Sequence, residues 1–312
     1  MNSAPGPLAD LTFALVGPGR VGSSLAHWAV GAGARCLSVA GTPGSPRAAD
    51  LAERLGARIA SSLELAAAEA RWIWIATPDG RIHEVARRLA SRQRQGLALH
   101  VSGALGASAL APLAAAGCRV GSFHPLRAFA AVEESPAPGT FYALDGDPEA
   151  RALGRRLAQA FGGECGVVGE EQRTLYHWAA TLAAGGVVTL LATARAVGRE
   201  LGLPEAALRG YGELSRGALA AALAVAEPRD TITGPAARGD LDTIERHLAA
   251  LAARAPALVP LAVELARATL ALRAESGPLD PAQRRLAERL AREDLLDRPK
   301  ERVLTSTRPK PA

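Results

Sequence analysis

The stretch from Leu11 to Gly33 constrains the fold more than any other part of this chain. An apolar run ends in Gly17, Gly19 and Gly22 and leads into an amphipathic segment, which is the pattern of a strand, a tight turn and a helix. In this G-x-G-x-x-G spacing the first glycine permits the turn, the second lets a pyrophosphate reach the backbone, and the third lets the helix pack on the strand. Glycine is common here, at 32 of 312 residues, so the motif alone is weak evidence, and a purely structural turn is the alternative. Its place in the first strand–helix unit favours nucleotide binding, and the predicted contacts are Gly17, Pro18, Gly19, Arg20, Val21 and Gly22.

The order of the later patterns predicts two kinds of domain. Strand and helix patterns alternate as far as residue 169, and only helical patterns follow up to residue 274. This order is typical of an α/β domain with a doubly wound, mostly parallel sheet, followed by an all-α domain. We therefore place a dinucleotide-binding domain at residues 9–169, a helical substrate and dimerisation domain at 170–275, and a last helix with a basic disordered tail at 276–312.

Polar side chains follow three successive predicted strands of the first domain. Thr77 and Pro78 end one strand and should line the cofactor cleft, because ligands of open α/β sheets bind beyond the carboxyl ends of the strands. Ser102 and His124 end the next two strands. Each has a structural alternative, since Ser102 can cap a helix and His-Pro is a common exit from a strand. Together they suit hydride transfer assisted by a general acid or base, and the Pro-rich loop 133–139 is expected to cover this cleft.

The end of the second predicted strand carries no acidic residue. Proteins that bind NAD commonly place an Asp or Glu there for the ribose 2′-hydroxyl. This chain instead has a small polar loop with Thr42, Ser45 and Arg47, which suits a 2′-phosphate. We predict NADP as the cofactor and consider NAD less favoured; an ordinary polar loop before the next helix is the alternative.

Composition excludes several other classes of function. Lys300 and Lys310 are the only lysines, so no residue before 300 can act as a catalytic or phosphate-binding lysine. The net charge is +5, but residues 298–312 carry five basic residues and one acidic residue, so the rest is nearly neutral and gives no sign of nucleic-acid binding. The three cysteines are widely spaced and predict neither a disulfide nor a metal site. The amino terminus lacks the positive region of a signal peptide, so we expect a cytoplasmic protein.

The helical part contains one long uncharged run, residues 177–194. It is rich in alanine and interrupted by Gly185 and Gly186, so we interpret it as a buried core helix and not as a membrane span. The segment 181–196 offers a flat apolar face that a monomer would leave in contact with water. We therefore predict a homodimer formed through the helical domain.

These motifs together resemble a bacterial family of predicted oxidoreductases that joins a Rossmann-like domain to a C-terminal domain of unknown function. The family is similar to prephenate dehydrogenase, the deazaflavin-dependent NADP reductases and the β-hydroxyacid dehydrogenases, which commonly dimerise through a helical domain. In prephenate dehydrogenases a Ser and the His of a His-Pro motif serve the chemistry, and the matching positions here are Ser102 and His124. The resemblance rests on residues 17–22, 77–79, 100–104, 121–126 with Phe129, 176–177, and 233–240 with Thr243 and His247.

The residues and the resemblance predict an NADP-dependent oxidoreductase acting on a small, carboxylate-bearing carbonyl, hydroxy or imine compound. We expect His124 to be the general acid or base, with Ser102 orienting either His124 or the substrate oxygen, and His177 assisting. The predicted substrate-binding residues are Arg173, Arg238, Asp240 and His247.

Two departures from the family keep a second function open. Arg173 replaces the usual lysine and cannot transfer protons, and Ala184 with Gly185 replaces the usual Ser-Asn pair. A catalytically altered NADP-binding sensor or interaction protein is therefore the alternative.

Overall fold

The structure, a computed structural model, describes residues 6–292 except 64–69 and 92–95. It divides into two compact units, Met1–Gly186 and Val187–Ala312. The sequence also predicts a helix over residues 63–70; most of it, and the whole basic tail, lie outside the described residues.

Eight strands form one sheet in the first unit, in the order β3-β2-β1-β4-β5-β6-β7-β8. Neighbouring strands are parallel except β6 and β7. The strand order reverses between β1 and β4, and such a switch point is where doubly wound sheets bind their ligands. The predicted α/β class is confirmed. The strands are β1 Thr12–Val16, β2 Arg35–Ala40, β3 Arg58–Ile59, β4 Trp72–Ile75, β5 Leu97–His100, β6 Arg119–Pro125, β7 Phe141–Gly146 and β8 Glu164–Val167.

Both faces of the sheet are packed, which explains the continuous apolar run of β4. Trp72 and Trp74 point to one face and join an aromatic cluster, in which Phe13 stacks on Trp72 with ring centroids 5.0 Å apart. Ile73 and Ile75 point to the second core on the opposite face. Burying a side chain of this size contributes roughly 1.5–3 kcal/mol, so the centre of the sheet is the most strongly stabilised part of the unit. In the described residues of this unit the α-helices are α1 Arg20–Gly31, α2 Pro46–Arg54, α3 Asp79–Ala90, α4 Ala111–Ala115, α5 Pro148–Ala160 and α6 Glu170–Thr181.

Helix α6 belongs to the first unit, although the sequence placed the boundary before it. At its start the Glu170 carboxylate accepts a hydrogen bond of 2.8 Å from the Ser108 hydroxyl. One turn later Arg173 is buried and donates to the backbone oxygen of Val168 and to the Ser122 hydroxyl. Residue 169 therefore marks the end of the strand–helix alternation, whereas the first compact unit extends to Gly186. A π-helical turn over Leu182–Gly186 closes it.

The second unit is entirely helical in its described part. A small core of aliphatic side chains, including Val263, Leu270 and Leu286, lies among its last three helices. The amide of Gln283 donates to the Ala237 oxygen at 2.7 Å and ties the last helix to the loop that precedes α9. The helices are α7 Val187–Glu200, α8 Glu205–Leu223, α9 Leu241–Arg254, α10 Val259–Glu275 and α11 Pro281–Leu290.

The run 177–194 is not a core helix, and that prediction was wrong. The helix Glu170–Glu200 is long enough to cross a membrane and contains an 18-residue stretch with a mean hydropathy of 1.5, none of which is buried. It is nevertheless not a membrane span, because its first turns hold Arg173 against the sheet. The apolar composition of this run predicted a buried helix, but in a single copy of the chain its surface is exposed.

Candidate functional site

The glycine turn between β1 and α1 has the geometry that its spacing predicts. Gly17 has a φ of +98°, and a Cβ there would lie 2.6 Å from the Ala76 backbone. A Cβ on Gly22 would lie 2.3 Å from the Gly17 oxygen, so the helix packs too closely for any side chain. At Gly19 a Cβ would meet nothing within 4 Å. The free space at this middle glycine, at the start of α1, is where an anion would be bound by the helix N-terminus.

Thr77 supplies a second sign of a ligand at this edge of the sheet. It follows β4, and its hydroxyl oxygen is buried without a hydrogen-bond partner among the described residues. A buried hydroxyl without a partner costs free energy, which a bound polar ligand would recover. Pro78 is exposed next to it and precedes α3. The residues present therefore fit a dinucleotide whose pyrophosphate lies at the turn of residues 17–22.

The loop after β2 lies against the same turn. A Cβ on Gly41 would be 3.2 Å from Pro18, so the two loops touch. The Ser45 hydroxyl accepts the Ala48 N–H at 3.4 Å and caps α2, and Thr42 and Arg47 are exposed. The loop thus presents a cation and hydroxyl groups at the end of β2, as the prediction of a 2′-phosphate requires.

His124 forms a pair with a residue that the sequence did not single out. Its Nδ1 lies 2.9 Å from the Tyr176 hydroxyl on α6, and the two rings meet edge to face with centroids 5.5 Å apart. The His177 ring is also near, with its centroid 6.3 Å from that of His124. Burial, with a smaller effect of the Arg173 charge, lowers the pKa of His124 to about 4, so it is neutral at pH 7. Burial raises the pKa of Tyr176 to about 12, so its hydroxyl keeps its proton.

Gly103 lets the two histidines approach the end of β5. A Cβ at this position would lie 2.7 Å from both the His124 Nε2 and the His177 Cδ2. The signal for Tyr176 and Gly103 was present in the sequence, since Tyr176 precedes His177 and Gly103 follows Ser102. Only the fold shows that these neighbours contact His124.

Ser102 and His100 hold the turn after β5. The Ser102 hydroxyl accepts the Ala104 and Leu105 N–H groups at 3.2 and 3.1 Å, which is the capping alternative foreseen for it. His100 is fully buried; its Nδ1 accepts the Ser102 N–H at 3.2 Å, so its Nε2 donates to the Gly106 oxygen at 2.9 Å. Burial lowers the pKa of His100 to about 4. The described bonds of the Ser102 hydroxyl therefore go to the turn, not to His124.

Arg173 lies beneath the site and is not open to it. Its side chain is fully enclosed, with only 1 % of the residue exposed. Its guanidinium donates to the Val168 oxygen at 2.9 Å, to the Ser102 oxygen at 3.5 Å, and to the Ser122 hydroxyl. A buried arginine bonded to three protein oxygens has no exposed edge for a substrate carboxylate. The geometry thus argues for a structural role and against the predicted substrate anchor.

A cavity of about 630 Å³ lies next to the His124–Tyr176 pair. Arg127 is the one permanently charged side chain among its described lining residues. His124, Tyr176 and His177 line it as well, and the remaining wall is small and mainly apolar: Leu126, Ala128, Ala179, Ala180, Thr181, Ala183, Ala184 and Gly185. Ala184 and Gly185, the positions at which the chain departs from the family pattern, are small residues of this wall.

The other predicted substrate residues belong to the second unit. Asp240 caps α9 by accepting the Thr243 N–H at 3.1 Å, and this hydrogen bond lowers the pKa of its carboxyl group. Arg238 and His247 are exposed within that unit. The described residues contain no group of three or more His, Cys, Asp or Glu placed to hold a metal ion.

The fold and the glycine turn define a nucleotide-binding α/β protein followed by a helical region. Residues 6–125 match the Rossmann-like domain, and residues 140–269 match a domain of unknown function (DUF2520). The chain belongs to the family of proteins that join these two domains. No match was found among curated protein sequences.

Several solved structures share this fold. A proposed NADP oxidoreductase from Bacteroides fragilis is 21 % identical over 83 % of this chain and 97 % of its own, with a TM-score of 0.68. A protein from Thermotoga maritima is also 21 % identical, over 85 % and 99 % of the two chains, with a TM-score of 0.65. An imine reductase from Myxococcus stipitatus in complex with NADP⁺ is 18 % identical over 89 % and 99 %, with a TM-score of 0.58. At these identities the likeness shows the fold.

Proposed function

We propose that the protein is an NADP-dependent oxidoreductase that acts on a small carbonyl, hydroxy or imine compound by hydride transfer. The observation that carries the proposal is the His124–Tyr176 pair beside a largely apolar cavity, in the same unit as the glycine turn. The solved structures with the same fold include an imine reductase with NADP⁺, which supports the same reaction type.

The chain's own residues would handle the proton of this reaction. The nicotinamide supplies or accepts the hydride when it is bound. His124 and Tyr176 share a hydrogen bond of 2.9 Å, which holds the imidazole in one orientation. His177 adds a polar edge to the same wall, and the rest of that wall is mainly apolar. We propose His124 as the general acid or base, Tyr176 as the group that orients it, and His177 as an assisting residue.

A screen of NADPH oxidation against small ketones, keto acids and cyclic imines tests this function. We expect turnover of at least one class. Gly19→Val should abolish both cofactor binding and turnover while the fold survives, because a Cβ there meets no protein atom and would occupy the pyrophosphate space. Gly31→Ala, at the other end of α1 and also in open space, is the matched control. Tight cofactor binding without turnover of any class would instead support the sensor.

The cofactor preference depends on Arg47. We propose NADP because the end of β2 offers this exposed cation and no carboxylate. Arg47→Glu should weaken NADP binding by roughly 10- to 100-fold, because a charge-assisted contact is lost and the new carboxylate repels the phosphate. The affinity for NAD should stay nearly unchanged. Calorimetric titration of both cofactors measures this. Equal affinity of the native chain for NAD and NADP would show that Arg47 does not contact a 2′-phosphate.

We also propose a cytoplasmic homodimer formed through the helical unit. Helices α7 and α8 expose large apolar side chains, among them Leu190, Leu214 and Leu223, and the last two are 72 % and 76 % exposed. Exposed apolar surface of this kind is typical of an interface. Light scattering at micromolar concentration should give a molar mass of twice 32.1 kDa for the native protein. The double variant Leu214→Glu, Leu223→Glu should give the mass of one chain. A monomeric native protein would exclude this dimer.

A further inference from the structure

Arg127 is the one permanently charged side chain among the described residues that line the cavity. Arg127 lies three residues after His124, so it is close to the reacting group in the chain. His124 itself is neutral at pH 7 because burial lowers its pKa to about 4. The second nearby cation, Arg173, is enclosed and bonded to protein oxygens. An anionic substrate would therefore depend on Arg127 within this unit.

Glu133 already occupies the binding edge of Arg127. The Arg127 Nε donates to one carboxylate oxygen of Glu133 at 2.8 Å, and a terminal nitrogen donates to the other at 3.2 Å. This two-point arrangement is the one by which an arginine would bind the carboxylate of a substrate. The side chains are only 33 % and 23 % exposed, so water competes less for the pair than at an open surface.

The backbone of Glu133 is fixed from both sides. Its N–H donates to the Ser24 hydroxyl at 2.8 Å, and its carbonyl oxygen accepts the Trp28 indole N–H at 2.9 Å. Ser24 and Trp28 lie on α1, the helix that begins at the glycine turn. The loop predicted to cover the cleft is therefore pinned to α1 at its first residue. The carboxylate is held beside Arg127 at a high effective concentration, which a free substrate carboxylate cannot match.

We propose that Glu133 is a specificity-determining residue that neutralises Arg127 and restricts the cavity to uncharged carbonyl or imine compounds. This deepens the proposed function and rests on it. It also revises the carboxylate-bearing substrate expected from the sequence, since that expectation relied on Arg173 and Arg238. Loss of the Glu133 charge turns Arg127 into an open carboxylate site, while the backbone bonds of residue 133 keep the loop in place.

Binding of 4-acetylbenzoate and its uncharged methyl ester, measured by calorimetry with NADP present, tests this inference. The native chain should prefer the ester. Glu133→Gln should bind 4-acetylbenzoate roughly 10- to 100-fold more tightly than the native chain does, the range of a hydrogen-bonded charge pair, with little change for the ester. Adding Arg127→Ala to Glu133→Gln should remove the gain. The control is Glu134→Gln, whose carboxylate is 72 % exposed and pairs with Arg54 instead.

The inference is overturned if the native chain already binds 4-acetylbenzoate more tightly than the ester. It is also overturned if Glu133→Gln raises the affinity for 4-acetylbenzoate by less than about threefold, or if that variant does not bind the compound at all. Thermal melts verify that each variant is folded. The reductase screen is a separate experiment. A chain that shows the predicted shift in binding but never oxidises NADPH would keep Glu133 as the charge selector of a binding site and would remove the oxidoreductase.

Discussion

Replacing His124 by alanine is expected to lower kcat by about 10²–10⁴-fold, the usual contribution of general acid–base assistance. The affinity for NADP should stay within roughly twofold, because His124 lies at the end of β6 and the glycine turn follows β1. Steady-state kinetics on whichever compound the screen identifies, with calorimetric titration of NADP, measures both quantities. Tyr176→Phe keeps the ring and removes the hydroxyl that lies 2.9 Å from the His124 Nδ1, so it should cause a smaller loss.

The pH dependence of the native enzyme gives a second readout. Burial lowers the pKa of His124 to about 4, so the imidazolium is scarce at pH 7. If the imidazolium donates the proton during reduction, kcat/KM should keep rising as the pH falls from 8 to 5 instead of levelling near 6.5. If His124→Ala retains full activity while His177→Ala loses it, the proton comes from His177 and our assignment is wrong.

The local elements could be predicted from the sequence because short-range rules determine them. A Cβ at position 17 or 22 would strike backbone atoms, so the turn requires glycine at both positions. The spacing of these glycines in the sequence therefore predicts the turn. The continuous apolar run of β4 is typical of a strand buried on both faces, and Trp72 and Ile73 pack into the two different cores. The short edge strand β3 was not predicted, since two residues carry no periodic signal.

The contacts of the site could not be predicted, because they join residues distant in sequence. The His124–Tyr176 hydrogen bond links positions 52 apart, and only the packing of α6 on the sheet brings them together. The Arg127–Glu133 pair is closer in sequence, but its importance depends on the anchors of Glu133 at Ser24 and Trp28, more than 100 residues away. From the sequence, a charged side chain is expected to be exposed, and Arg173 was therefore expected to face a substrate.

Replacing Arg173 by alanine is expected to lower the free energy of unfolding by about 3–5 kcal/mol, because it removes hydrogen bonds from a charged donor and leaves a cavity. Arg173 is 1 % exposed, and removal of its side chain leaves the Val168 oxygen and the buried Ser122 hydroxyl without this donor, with a cavity where the guanidinium was. Arg173→Lys keeps the charge but lacks the planar fork, so its loss should be intermediate. Urea unfolding at pH 7 measures these differences.

Thr174→Ala, the exposed neighbour on α6, is the control and should change stability by less than about 0.5 kcal/mol. The result also separates two roles for position 173. If Arg173 anchors α6 beneath the site, its replacement lowers the free energy of unfolding, and catalysis falls because Tyr176 is displaced. A residue that binds the substrate would leave the unfolding midpoint unchanged and raise KM alone, and that outcome would restore the role that the sequence suggested for Arg173.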